Sequence, residues 1–297
     1  MNFTRRSFLG ASGATAATAF LAACGGSGSS DSGSGVATAD GSSISVMLYT
    51  NVMSLDTALA TDGDSFEVIA DCIDGLMQMD ADGAAIPALA ESYDVSEDGM
   101  TYTFHLRDAV WSNGTAVTAN DFVFAWRRIC TDCEEYNYML DSSVACIKNA
   151  DLIMYGEDGE GTNALDPKEL GVSAPDDKTL VVELEAPVSF FPSLMYFPTF
   201  YPINEEFYTS LDDGTYGTSP DTFLSCGAFV LADYTPGTAN LTVSKNADYW
   251  NADEVSLGSI SYQVVDSSDN ALNAFRSNTL DVEGVSAESV EGVIGGV

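Results

Sequence analysis

The sequence predicts a mixed α/β fold. SISVMLYT (43–50) alternates apolar and polar residues as a strand does, and DSFEVIADCIDGL (64–76) repeats apolar residues at helical spacing. Clean alternation returns in KTLVVELE (178–185) and SISYQVVD (259–266), and SDNALNAFRS (268–277) has the pattern of a short amphipathic helix. Strands interleaved with helices along one chain are typical of this class.

The N-terminus has the features of an export signal. Arg5 and Arg6 precede a weakly apolar run, ASGATAATAFLAA, which is too short to span a membrane as a helix. TRRSFLG resembles the twin-arginine export signal, although basic residues also begin general secretory signals.

LAAC, ending at Cys24, resembles the lipobox of bacterial lipoproteins. This resemblance implies removal of residues 1–23 and lipidation of Cys24, and two or three acyl chains anchor a protein firmly. The alternative is that Cys24 is an ordinary small residue near a cleavage site.

A tether follows. Residues 24–42 are rich in Gly and Ser and carry almost no apolar surface to bury, so a flexible linker is expected. The folded part is predicted to begin near Ser43.

The first predicted helix has one apolar face, formed by Phe66, Ile69, Ile73 and Leu76. Asp64 or Ser65 can cap its N-terminus, and Gly75 lies near its predicted end. A strand that leads into a helix is therefore expected at the start of the fold.

Two β-hairpins are predicted next. ALAESYDV and MTYTFHL flank Asp98-Gly99, and FVLADY (229–234) and NLTVSK (240–245) flank Pro236-Gly237. Between the two hairpins, Asn113-Gly114 indicates a turn.

The segment after that turn predicts a second helix. Thr118 and Asp121 have the spacing of a capping-box variant, since a hydroxyl and a carboxylate can satisfy early helical N–H groups. NDFVFAWRRI continues as a helix that buries Phe122, Trp126 and Ile129.

Charge excludes one class of function. The chain has 10 Lys and Arg against 45 Asp and Glu, a formal net charge of -35. Such a surface repels polyanions, so nucleic-acid binding through phosphate contacts is not expected. Solvated surface charge explains most of the carboxylates, and attraction of cationic ligands is the minor alternative.

Two cysteines have a spacing that metal and redox sites also use. Cys130 and Cys133 have CxxC spacing, but no second pair of cysteines and no nearby His accompany them. This favours structural or free thiols. The alternatives are an extracytoplasmic disulfide and, less favoured, redox or metal chemistry.

Asp80-Ala-Asp82-Gly83 has part of a calcium-loop pattern but lacks the third ligand and the terminal Glu, which favours a turn. No cofactor and no metal are predicted.

The single histidine, His105, is a candidate catalytic residue. FHLRDAVWSNG places His105 near Arg107 and Asp108, but His105 lies in the predicted strand and no nucleophile-elbow motif accompanies it. Glycosidases use a pair of carboxylates as catalytic groups, but so acidic a chain offers many such pairs, and their presence is therefore not specific evidence for a glycosidase. We therefore interpret His105 as structural, and a secreted hydrolase is the alternative from a different class.

The residues from 87 to 128, PALAESYDVSEDGMTYTFHLRDAVWSNGTAVTANDFVFAWRR, resemble the signature region of a known family. It is the family of bacterial peptide-binding lipoproteins that serve oligopeptide and dipeptide ABC importers, the family 5 solute-binding proteins. SLD (54–56), CGAF (226–229), NADYW (246–250) and AFRSNTLDVEG (274–284) continue the match in the same order. The resemblance covers the chain from Ser43 to its end.

The resemblance implies a two-lobed, periplasmic-binding-protein-like fold that closes on its ligand by hinge motion, with mainly lobe one present. In lobe one it implies a sheet domain split between 41–74 and 189–284, with an inserted domain at 75–188. Residues 285–297 would begin the connection to a missing lobe two, so a truncated or partial sequence is expected. In the family, an acidic residue of lobe two pairs with the ligand's α-amino group.

The resemblance also implies ligand-contacting positions in lobe one. They are Thr61, Asp62 and Gly63 after the first strand, Tyr138 after the second helix, and Val285 and Ser286 at the exit of the last strand. Main-chain hydrogen bonds and aromatic packing at these places resemble strand addition. The alternatives are a plain polar loop at 61–63 and an ordinary surface or core tyrosine at 138.

The expected function is that of a monomeric, exported, lipid-anchored solute-binding protein, not an enzyme. It would capture short peptides at the outer face of the cytoplasmic membrane or in the periplasm and deliver them to the permease subunits of an ABC transporter. The runner-up within the family is a non-peptide ligand, such as a nickel chelate, an oligosaccharide or an opine.

Overall fold

The computed structural model describes residues 42–133, 135–157 and 165–282. The predicted signal sequence (1–23), the tether up to residue 41 and residues 285–297 lie outside these ranges, together with the predicted functional residues Arg5, Arg6, Cys24, Val285 and Ser286.

The described residues form both strands and helices, mixed along the chain. The strands are β1 (Ser42–Leu48), β2 (Met77–Met79), β3 (Ala85–Pro87), β4 (Ala90–Val95), β5 (Thr101–Leu106), β6 (Val172–Asp176), β7 (Thr179–Glu183), β8 (Phe229–Asp233), β9 (Asn240–Lys245) and β10 (Leu257–Val264). The helices are α1 (Gly63–Cys72), α2 (Ala119–Asp132), α3 (Ala150–Tyr155), α4 (Phe191–Leu194), α5 (Glu205–Ser210) and α6 (Ser268–Arg276). Single-turn 3-10 helices lie at Asn137–Met139, Pro167–Glu169, Pro198–Phe200, Pro220–Thr222 and Ala252–Glu254. Within the described part of the chain, no helix combines the length and the apolar character needed to cross a bilayer.

The first sheet joins the start of the chain to its later part, in the order β1-β10-β9-β8. β1 and β10 are parallel, whereas β10, β9 and β8 pair antiparallel, so the predicted hairpin of β8 and β9 is confirmed. On the other side of β1, the Met47 N–H donates to the Val282 carbonyl at 3.1 Å. The carboxyl ends of the parallel strands β1 and β10 therefore share one edge of the sheet, and the chain continues from this edge towards α1 and α6.

The second sheet is antiparallel throughout, in the order β4-β5-β7-β6. The predicted hairpin of β4 and β5 is confirmed, and Gly99 in its turn has φ +71°, a backbone conformation that favours glycine. In β5, Tyr102, Phe104 and Leu106 are buried, whereas His105 points away from this buried face. Period-two alternation thus places the single histidine on the outer surface of a sheet.

The short β2-β3 ladder closes around the acidic motif at 80–83. The Asp80 carboxylate accepts hydrogen bonds from the N–H groups of Asp82 at 2.9 Å and Ala84 at 2.8 Å, and Gly83 has φ +83°. This is the turn that the sequence predicts at this motif.

Helix α2 forms as predicted. The Asp121 carboxylate accepts from the Thr118 N–H at 2.9 Å and completes a capping box, and Phe122, Trp126 and Ile129 are all buried. Burial of side chains of this size contributes about 1.5–3 kcal/mol each.

The limits of α1 differ from the prediction. Asp62, not Asp64 or Ser65, is the N-cap, because the Asp64 carboxylate is turned back towards the end of β1. The helix ends at Cys72 rather than near Gly75, because the Cys72 carbonyl accepts from the N–H groups of Cys226 at 3.0 Å and Gly227 at 2.8 Å. Ile73 and Leu76 lie beyond the helix but remain fully buried, so their predicted place in the core is correct.

The described cysteines, Cys72, Cys130, Cys133, Cys146 and Cys226, are free thiols. Burial raises the pKa of Cys130 to about 12, and it also raises the pKa of Cys133. Thiols of this kind stay protonated and unreactive at neutral pH, which supports the structural interpretation of the CxxC pair.

A buried ion pair links α2 to the loop after β1. Arg128 donates to both carboxylate oxygens of Asp56, at 3.1 and 3.0 Å, and to Asp132 at 2.9 Å. The side chains of Arg128 and Asp56 are 9% and 3% exposed. Burial alone would lower the pKa of Arg128, but the hydrogen bonds and charge of Asp56 outweigh it and raise that pKa, so the guanidinium stays charged.

We predict that Arg128→Met lowers the free energy of unfolding by about 3–5 kcal/mol, because it leaves the Asp56 carboxylate buried without its partner. Urea unfolding of the 297-residue chain measures this loss. The double variant Asp56→Leu with Arg128→Met should recover much of it, since no isolated charge remains.

Lys148→Met is the matched control, because its ion pair with Glu183 lies at the surface, with both side chains about half exposed. Its unfolding midpoint should stay near that of the wild type. An Arg128→Met protein as stable as the Lys148→Met protein would show that the buried pair does not hold the fold together.

Candidate functional site

The single histidine and the two charged residues next to it in sequence, Arg107 and Asp108, do not converge. The His105 Nε2 lies 2.9 Å from the Asp94 carboxylate on the outer face of the β4-β5 hairpin. The Arg107 guanidinium lies 3.6 Å from the ring centroid of Trp250, and the fully exposed Asp108 carboxylate lies 3.2 Å from the Lys178 Nζ. Each residue serves a different contact, so the geometry supports the interpretation of this segment as scaffold.

Trp250 belongs to the NADYW motif, which is also structural. The Asp74 carboxylate accepts hydrogen bonds from the Tyr249 hydroxyl at 2.8 Å and from the Trp250 ring N–H at 2.9 Å. With Arg107 stacked on the same indole, this cluster ties the segment after α1 to both sheets.

The loop from residue 49 to residue 62 leaves the shared carboxyl edge of β1 and β10. In sheets of parallel strands, this edge is where ligands bind. The Asp64 carboxylate accepts from the N–H groups of Tyr49 at 2.9 Å and Thr50 at 2.6 Å, and from the Thr50 hydroxyl at 2.9 Å. Asp56 accepts from the Ala58 N–H at 3.0 Å in addition to its pair with Arg128. Two largely buried carboxylates thus fix both halves of the loop.

The other side of the loop rests on the β8-β9 hairpin. The Val52 carbonyl accepts from the Tyr234 hydroxyl at 3.3 Å and from the Gly237 N–H at 3.1 Å, and Asn51 donates to the Gly237 carbonyl at 3.0 Å. Burial raises the pKa of Tyr234 to about 12, so the hydroxyl remains a neutral donor.

The predicted contact residues 61–63 lie at the end of this loop. Thr61 and Gly63 are exposed, whereas Asp62 is half-buried and accepts from the Ser65 N–H at 2.8 Å and the Ser65 hydroxyl at 2.7 Å. The Asp62 carboxylate is therefore occupied as a helix cap. Apart from its chain neighbours and the backbone of its own helix, no atom lies within 4 Å of the position that a Cβ would take at Gly63, so this position faces open space.

Tyr138 is connected to α1 by a series of ring contacts. Its ring lies 6.1 Å from that of Tyr136, which lies 5.0 Å from that of Phe66 in the first turns of α1. Phe197 contacts both Phe66 and Tyr136, at 5.2 and 5.7 Å. We call these four residues the aromatic cluster. Tyr138 is 42% exposed and is its outermost member, so the cluster joins the two predicted contact regions that the structure describes.

The sequence does not indicate that the other members of the cluster lie beside the predicted contact residues. It predicts Phe66 only as a core residue, and it gives no indication for Phe197. The two-residue spacing of Tyr136 and Tyr138 was the one available signal.

The same loop exposes large apolar side chains. Tyr49 is 61% exposed and Met53 is 63% exposed, although most side chains of this size in the described residues are buried. We define the β1-edge surface as Tyr49, Met53, Thr61, Gly63 and Tyr138. It offers open backbone and apolar contact area, which suits an extended, partly apolar ligand. No group of three or more His, Cys, Asp or Glu side chains in the ranges 42–133, 135–157 and 165–282 is arranged to hold a metal ion.

Comparison with known proteins places the chain among solute-binding proteins. The model of bacterial extracellular solute-binding proteins, family 5 Middle, matches residues 84–294. The chain is 33% identical over 271 residues to the oligopeptide-binding protein OppA of Bacillus subtilis (strain 168), covering 90% of this chain and 48% of that protein. It is 30% identical over 240 residues to the probable deoxycholate-binding periplasmic protein YgiS of Escherichia coli (strain K12), covering 80% and 43%.

A solved structure supports the same fold and family. OppA of Listeria monocytogenes bound to peptide matches with a TM-score of 0.74 and 35% identity, covering 82% of this chain and 46% of that chain. The predicted mixed α/β, periplasmic-binding-protein-like fold is therefore confirmed. The chain spans about half the length of the curated relatives it matches. The resemblance drawn from residues 87–128 is also confirmed, and the chain belongs to family 5 of the bacterial extracellular solute-binding proteins.

Proposed function

We propose that this protein is an extracytoplasmic solute-binding lipoprotein that captures short peptides and delivers them to the permease subunits of an ABC transporter. It binds its ligand without chemical change. The observation that carries this proposal is the β1-edge surface, where the exposed side chains of Tyr49, Met53 and Tyr138 accompany the open backbone at Gly63.

A peptide fits such a surface for a physical reason. Its backbone can exchange hydrogen bonds with exposed main chain near Gly63, and this type of contact tolerates any side chain. Tyr138 is held by the ring of Tyr136 and can supply a rigid apolar face with a polar tip. Its half-exposed position favours a contact role over a core role.

The domain division is part of the proposal. Sheet β1-β10-β9-β8 would belong to a split domain at 41–74 and 189–284, and sheet β4-β5-β7-β6 would belong to an inserted domain at 75–188. Their strands come from these separate segments of the chain, which supports the division. A second lobe would close over the β1-edge surface, and Val285 and Ser286 would add to the ligand contacts.

A non-peptide ligand is the second candidate. One relative is described as a probable deoxycholate-binding protein, and the exposed Tyr49 and Met53 side chains would also suit a rigid apolar solute. A secreted hydrolase has no such support, because His105 and Asp108 do not come together around a nucleophile.

The membrane anchor completes the proposal. Export through the signal at Arg5 and Arg6 and lipidation of Cys24 would hold a monomer at the outer face of the cytoplasmic membrane or in the periplasm. The Gly/Ser tether would let the folded part move between solute and permease.

We predict that Gly63→Val weakens peptide binding at least about tenfold, equivalent to about 1.4 kcal/mol. The added side chain enters open space in the free protein, so stability should change little, but a peptide backbone approaching Gly63 would meet it. Calorimetric titration of the complete polypeptide with a short-peptide library measures the affinity, and peptide recovered intact afterwards distinguishes binding from hydrolysis.

Tyr138→Ala should weaken the same binding, whereas Tyr93→Ala should not, because Tyr93 is a comparably exposed tyrosine on β4, in the other sheet. Equal affinity in all four proteins would exclude the β1-edge surface as the peptide site. Tight binding of a bile salt with no response to any peptide would favour the second candidate.

We predict that Cys24→Ala releases the protein from membranes, because lipidation needs the cysteine sulfur. Fractionation of expressing cells, with Cys146→Ala as the cysteine control, measures the membrane-bound fraction. Continued tight association of the Cys24→Ala protein would show that Cys24 is not the anchor.

A further inference from the structure

The second sheet has one open edge. β4 is its outermost strand, and in the part of the chain that the structure describes no strand pairs with the other side of β4. Every residue from 91 to 95 is exposed, and the ladder with β5 is regular from Ser92 onwards. The opposite edge strand, β6, contains Pro175 and has a register shift, and both features hinder the addition of a further strand. We call residues 91–95 the β4 edge.

The β4 edge turns backbone hydrogen-bonding groups outwards. The Ser96 N–H donates to the Thr101 carbonyl at 3.0 Å, and the ladder continues in the same register along β4 to Ser92. Hydrogen-bonded and non-hydrogen-bonded pairs alternate in an antiparallel ladder, so every second residue of β4 bonds to β5. The N–H and carbonyl groups of the residues between, Tyr93 and Val95, therefore face away from the sheet.

Apolar side chains accompany these outward backbone groups. Tyr93 is 37% exposed and Val95 is 45% exposed. The Tyr93 ring lies 5.6 Å from that of the buried Phe104, which lies 6.3 Å from that of the buried Phe191. The apolar layer on this face of the sheet thus continues to the edge, where Tyr93 and Val95 leave it partly uncovered. An added strand would extend the layer with every second side chain.

Charge decides which kind of strand suits this edge. From residue 90 to residue 106, the hairpin of β4 and β5 has four exposed carboxylates and no Lys or Arg. They belong to Glu91, Asp94, Glu97 and Asp98. Pairing with the β4 edge of a second copy would bring like charges together, which is unfavourable. A segment with basic side chains is attracted to the same hairpin.

We infer that the β4 edge binds an extended, basic segment of a partner protein by strand addition. The backbone of the segment would pair with the N–H and carbonyl groups of Tyr93 and Val95. Its apolar side chains would pack beside these two residues, and its basic side chains would lie near the carboxylates of the hairpin. The β4 edge and the β1-edge surface lie in different sheets, so this is an interaction beyond solute capture.

Calorimetric titration of the complete polypeptide with the blocked peptide acetyl-Lys-Val-Lys-Val-Lys-Val-amide, at low ionic strength, tests the inference. We expect saturable binding of one peptide per chain. The affinity should fall as salt is added, because the attracting charges are exposed. The counterpart with glutamate in place of lysine should not bind.

Two proline variants test the direction of the backbone groups. Val95→Pro removes an outward N–H and should weaken the lysine peptide about fivefold. Its unfolding midpoint should stay near that of the wild type. Asp94→Pro removes an N–H that faces β5, so its midpoint should fall.

A charge variant tests the attraction without changing the backbone. Glu91→Gln combined with Glu97→Gln should weaken the lysine peptide about threefold. Glu254→Gln removes an equally exposed carboxylate from the 3-10 helix Ala252–Glu254, so it should leave the affinity unchanged.

Four outcomes would overturn the inference: no binding of the lysine peptide, equal binding of the glutamate peptide, unchanged affinity in Val95→Pro, or loss of binding in Gly63→Val, which would place the peptide at the β1-edge surface. A dimer that Val95→Pro dissociates in sedimentation would also overturn it, because the occupant would then be a second copy. Solute capture is measured with Gly63→Val and Tyr138→Ala, and Val95→Pro should leave it unchanged, so the two proposals fail separately.

Discussion

A guanidinium and a carboxylate that are both nearly excluded from water, those of Arg128 and Asp56, connect positions 72 residues apart in the chain. Helix α2 carries the guanidinium, and the loop after β1 carries the carboxylate. Because neither charge can be left alone in the interior at low cost, the loop has one stable position against the helix. That position determines where Thr61 and Gly63 come to the surface.

Other contacts also hold the loop after β1 in place. Asp64 holds the backbone at Tyr49 and Thr50, and the β8-β9 hairpin holds Val52. With its backbone fixed from these sides, the loop can expose Tyr49 and other apolar side chains without collapsing onto the core. Preorganisation of this kind lowers the entropic cost of binding, and the aromatic cluster extends the same rigid surface to Tyr138.

Local patterns were sufficient to predict most of the fold. The alternation in β5 and the capping box of Thr118 are sequence-local, and both were found where predicted. The end of α1 was not predictable, because the Cys72 carbonyl is taken by Cys226 and Gly227 from far along the chain. The pairing of Asp56, in the SLD segment, with Arg128 was not predictable either, because the two residues are 72 positions apart in the chain. The contact residues came from the family resemblance, not from periodicity.

Amide hydrogen exchange of the complete polypeptide, with and without a saturating peptide, tests the central claim most directly. If the fixed loop and the aromatic cluster form the peptide site, binding should slow exchange at residues 49–63 and at residues 136–138 together. Exchange in β4, which lies in the other sheet, should not change. Protection that spares both segments, or that falls on residues 208–216 instead, would contradict the assignment of the β1-edge surface as the peptide site.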